Sequence, residues 1–106
     1  MFRTLPFPFP GGTFPSGLGA VIQRTVLSGE RAALEVTHTD DNSWLVADGV
    51  SDPNEPGAAI ATHMHHVVER DPSVAVLATL PVGHTAVRDR ADAPWVIYRH
   101  RWPDDE

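Results

Sequence analysis

The sequence predicts a small α+β domain, an antiparallel sheet in the order β-β-β-α-β-β with one main amphipathic helix packed on it. Three observations carry this expectation. Runs rich in β-branched residues recur at 18–27, 32–39 and 43–50, separated by the turn signals Ser28-Gly29-Glu30 and Asp40-Asp41-Asn42. Segment 58–70 then places Ile60, Met64, Val67 and Val68 at helical spacing, a stripe that can lie against a sheet. Finally, 106 residues of which 42 % are hydrophobic make about one domain, large enough for a core without staples.

Each element has a local reason. Residues 1–17 form a proline-rich arm, because Pro6, Pro8, Pro10 and Pro15 remove backbone donors and forbid a central strand. Phe2, Leu5, Phe7, Phe9 and Phe14 make that arm too apolar for a free linker, so it should lie on the body or on a partner. The domain proper is 18–102 and an acidic tail follows at 103–106. In the third strand Trp44 and Val46 alternate with Leu45 and Ala47, and short turns predict that the first three strands pair as a meander. Loop 51–57, with Pro53, Pro56 and Gly57, precedes the helix. Pro72 disfavours helical geometry at Asp71 and closes it near Arg70. A short helical turn over 73–80 is broken at Pro81-Val82-Gly83, and 85–88 with 95–100 makes a terminal hairpin looped at 90–94.

Composition narrows the function. The net charge of −6 disfavours nucleic acid, and Arg88, Arg90, Arg99 and Arg101 are interleaved with acids rather than segregated. Without cysteine there is no disulfide, thiolate metal site or cysteine nucleophile. No apolar run approaches the ~20 residues that span a bilayer, and the N-terminus lacks a signal-peptide pattern. The expectation is a cytoplasmic protein without membrane or nucleic-acid partners.

Catalytic constellations are sparse. No serine sits in a Gly-x-Ser-x-Gly elbow, and the glycines are too scattered for a phosphate loop. The sequence therefore predicts a protein that is not an enzyme and carries no cofactor. Thr62-His63-Met64-His65-His66 invites a metal reading: on one continuous helix His63 and His66 share a face with Glu69, while His65 points away. That pair needs further ligands, for which His84 is a candidate, so no stoichiometric metal is expected. Acidic and aromatic residues of the third strand and its loop read better as a recognition surface. Trp44, Asp48, Asp52, Asn54 and Glu55 are the predicted partner-binding residues, an aromatic anchor with charges that steer association.

Ser43-Trp44, Asp52-Pro53-Asn54, a helix, Asp71-Pro72-Ser73, Leu77 and Leu80-Pro81-Val82-Gly83 follow one another in this order. The pattern resembles a bacterial domain family of unknown function grouped with immunity proteins of polymorphic-toxin systems. Ser43 stands where that pattern usually has glycine, and His84 where it usually has serine. The resemblance implies a non-enzymatic binding protein, an immunity protein that neutralises a cognate bacterial toxin. Two other readings stand beside it: a small ligand- or metal-binding domain using the His63/His66 face, and a self-associating structural module.

Overall fold

A computed structural model of the chain describes residues 6–50 and 57–99. It is an α+β domain built on a six-stranded open sheet: β1 Gly19–Gln23, β2 Glu35–His38, β3 Trp44–Ala47, β4 Ala59–His63, β5 His84–Val87 and β6 Val96–Arg99. The α-helices are α1 Arg24–Ser28 and α2 His65–Arg70, with 3-10 helices at Pro10–Gly12 in the arm and Pro72–Thr79 after α2. Strand order is β4-β1-β3-β2-β5-β6, antiparallel at every pairing except β1 with β3. Among the described residues no helix is long and apolar enough to cross a membrane.

The class agrees with the sequence expectation, and two details differ for physical reasons. The first is segment 58–70, which splits: Ala59–His63 is strand β4, in full register with β1, and only His65–Arg70 is helix. Ile60 and Met64 are four residues apart, a spacing that puts both on the core side at period 2 as well as at period 3.6. The β1 edge decides the matter, since its backbone groups need partners that a helix cannot supply. The second concerns Ser28-Gly29-Glu30, which is not a hairpin turn. Gly29 takes φ 85° and closes α1, its N–H donating to the Val26 carbonyl at 3.2 Å. With a helical turn after β1, β2 does not return beside it, and the β2–β3 hairpin docks so that β3 runs parallel to β1. The predicted meander is thus limited to β2 and β3.

One face of the sheet carries the core. Ile22, Val36, Val46, Trp44 and Ala86 point into it and meet Met64, Val67, Val74, Leu77 and Leu80 from the helical layer, all buried. The N-terminal arm belongs to this core: Phe9 is buried, Phe7 and Phe14 pack against it, and Phe14 meets Trp44 edge-on at 5.1 Å. His38 stacks on Trp44 at 3.9 Å, donates from Nδ1 to the Leu80 carbonyl at 2.7 Å, and sets Nε2 2.6 Å from Asn42 Oδ1. The expected terminal hairpin is present as β5 and β6.

The lower end of the helical layer is tied to the sheet by Arg88. From a nearly buried position its guanidinium donates to the Ala33 carbonyl at 3.0 Å, to Ser73 Oγ at 2.7 Å and to Asp71 Oδ2 at 2.7 Å, while it stacks on Trp95 at 4.1 Å. Asp71 caps the 3-10 helix through the Ser73 N–H. Partial burial pushes its carboxyl up, but the bonds from Ser73 and Arg88 and the Arg88 charge outweigh this and hold it below the usual range.

Candidate functional site

The structure corrects the surface expected around Trp44. Trp44 is fully buried under the arm and Asp48 is 1 % exposed, so neither is presented to a partner. Asp48 is a structural acceptor: Thr25 Oγ1 donates to Oδ2 at 2.6 Å, the Val50 N–H donates to Oδ1 at 2.8 Å, and Arg31 Nε lies 3.8 Å away. It fastens α1 to the end of β3, which absorbs the charge that was expected to steer association. Asp52, Asn54 and Glu55 lie outside the described residues, as do the acidic tail and residues 1–5.

The open surface is instead at the other side of the sheet, on β6. All four of its residues are exposed, with Val96, Ile97 and Tyr98 at 60 %, 51 % and 46 %. β6 ends the strand order, so among the described residues no strand pairs with the edge that faces away from β5. Alternate residues of a strand point to opposite faces, so β6 exposes Val96 and Tyr98 on one face and Ile97 with Arg99 on the other. On the sheet face opposite the core the patch stops at β6, because the next residues in the register are buried threonines. Tyr98 lies beside Thr85, then Thr37, Leu45, Val21 and Ala61 on successive strands. Thr37 and Thr85 are buried and bond each other at 3.0 Å, and they separate Tyr98 from the exposed Leu45 and Ala61 further along the row. The run Val96-Ile97-Tyr98 carried a readable signal, three apolar residues without alternation in the last strand, which is the pattern of a strand covered on both faces.

A second cluster sits at the opposite end, where β4 turns into α2. Met64 is fully buried at this corner, its N–H donating to the Leu18 carbonyl at 3.0 Å, and the histidines fan out from it. His65, His66 and Glu69 each bring one potential ligand atom to within 4.8 Å of the others. His65 and Glu69 are four apart and His66 and Glu69 three apart on α2, so both pairs are neighbours. His63 belongs to β4, not to the helix, and its ring lies 5.7 Å from that of His65 and 6.1 Å from that of His66. The expected roles are thus exchanged: His65 joins the helical pair and His63 flanks it. His84 is on β5, separated from β4 by β1, β3 and β2, and cannot contribute. A shallow cleft of about 400 Å³ lined by Leu27, Thr62, His66, Glu69 and Arg70 opens beside the cluster.

Several hydroxyl groups are committed to turns and caps. Ser28 bonds the Thr25 carbonyl and Glu30, Thr39 bonds Asp41, and Ser73 bonds Asp71. Comparison of the chain with protein-family models, with curated proteins and with solved structures finds no match.

Proposed function

We propose that this chain is a non-enzymatic protein-binding domain that takes up a strand of a basic partner protein along β6. The observation that carries the reading is the β6 edge, where Val96, Ile97 and Tyr98 expose apolar side chains on both faces. Protein sheets ordinarily blunt such edges with lysine, proline, a bulge or a covering element, because an open apolar edge templates pairing. Addition of a strand satisfies the backbone groups there and covers Val96, Ile97 and Tyr98 at once. The net charge of −6 adds long-range attraction for a positively charged partner. What supports a bacterial toxin as that partner is the order of short motifs in the sequence.

The test is affinity capture from the source organism with immobilised wild type, Ile97→Lys and Arg90→Met. A partner held by wild type and by Arg90→Met, but released by Ile97→Lys, supports the reading, as does an on-rate that falls steeply with salt. A partner retained by Ile97→Lys, a wild type that pairs only with itself in sedimentation, or no partner at all overturns it.

A further inference from the structure

We propose that His65, His66 and Glu69, with His63 beside them, form a binding site for one zinc ion. This inference stands independently of the β6 edge, since it rests on side chains at the other end of the sheet.

The geometry is close to that of a bound site. Around a tetrahedral zinc with bonds near ~2.1 Å, ligand atoms are spaced by roughly 3.4 Å. Here three ligand atoms already lie within 4.8 Å of one another, so side-chain torsions alone can bring them together. His63 flanks these three, its ring 5.7 Å from that of His65 and 6.1 Å from that of His66.

The chemistry of the donors selects the ion. Imidazoles with one carboxylate suit zinc and its neighbours copper and nickel, whereas calcium and magnesium require shells of oxygen. His65 Nδ1 lies 3.3 Å from the Ser16 carbonyl, so its N–H can donate there. That bond places the proton on Nδ1 and leaves Nε2 as the ligand atom, the outer-sphere arrangement that orients metal-binding histidines.

The backbone beneath the cluster is held in place. β4 is paired with β1 along its whole length, and Met64 anchors the turn through Leu18. A site on such a frame loses less entropy on binding than one on a loop. The cleft beside His66 and Glu69 gives the ion an open side, where water or a small ligand can complete its shell.

The experiment is calorimetric titration of tag-free protein with zinc chloride alone, paired with thermal melts with and without zinc. Wild type should bind one equivalent and melt at higher temperature when zinc is present. His66→Ala and Glu69→Gln should each weaken binding by at least ~10-fold and remove the thermal shift. His84→Ala should do neither. All three substitutions fall on partly or fully exposed side chains, and the zinc-free melts report whether the fold is kept. Absence of saturable binding to wild type, binding unchanged in both His66→Ala and Glu69→Gln, or an equal loss in His84→Ala overturns the site.

Discussion

Replacing Arg88 with methionine removes one charge and three hydrogen bonds while keeping most of the side-chain volume. The guanidinium bonds the Ala33 carbonyl, Ser73 Oγ and Asp71 Oδ2, and its own side chain is 1 % exposed. Breaking a fully buried ion pair from one side costs about 3–5 kcal/mol. Asp71 remains 27 % exposed, so water can solvate the abandoned carboxylate and the cost should fall to about 2–4 kcal/mol. For a domain of this size that is a drop in Tm of roughly 8–20 °C. Arg90→Met removes an ion pair whose two side chains are 72 % and 81 % exposed, and should change Tm by about 1 °C or less. The effect of Arg88→Met also has a pH signature. Asp71 has a depressed folded pKa, so its contribution is fully present above the ordinary aspartate value near ~4 and is lost as pH falls through the lower folded value. The gap between wild type and Arg88→Met should therefore be widest near neutral pH and narrow in acid. Calorimetric melts across that range measure both effects. A Tm drop no larger than that of Arg90→Met, or a gap that widens in acid, would refute the assignment of Arg88 as the tie between sheet and helical layer.

Three further substitutions probe the core and a turn. Gly83 has φ 80° and a Cβ there would meet Asp40 Oδ1 at 2.7 Å, so Gly83→Ala should cost about 1–2 kcal/mol in urea unfolding. Trp44→Phe should cost less than about 2 kcal/mol, because the buried Nε1 finds no hydrogen-bond partner among the described residues and its removal offsets part of the lost volume. Trp44→Ala, which also removes the ring under His38 and Phe14, should cost about 3–5 kcal/mol in the same assay.

The parts of the fold that were legible in sequence are those set by local periodicity. Strand β3 alternates Trp44 and Val46 against Leu45 and Ala47, and the structure buries the first pair. The β5–β6 hairpin is likewise local, two short runs across a polar loop. What was not legible depends on partners distant in sequence. Whether 58–63 becomes helix or strand is settled by the edge of β1 some forty residues earlier, and the parallel β1–β3 pairing follows from a helical turn that a Ser-Gly pair signals only weakly. The candidate sites shifted for the same reason. Trp44 sits beneath an arm whose position no local pattern specifies, and Asp48 is claimed by Thr25 from another element. Once β4 takes its strand geometry, the helix begins at His65, and the histidine that a continuous helix would turn away becomes a member of the cluster.

The central claim, that β6 is the binding edge, is most directly tested by hydrogen exchange on the captured complex. Amide exchange across 96–99 is compared between the free chain and the complex, with β4, the opposite edge of the same sheet, as internal reference. Strand addition predicts marked slowing on β6, where backbone N–H groups directed away from β5 gain acceptors, and little change on β4. A complex in which β6 exchanges as in the free chain, while protection appears elsewhere, would contradict the account.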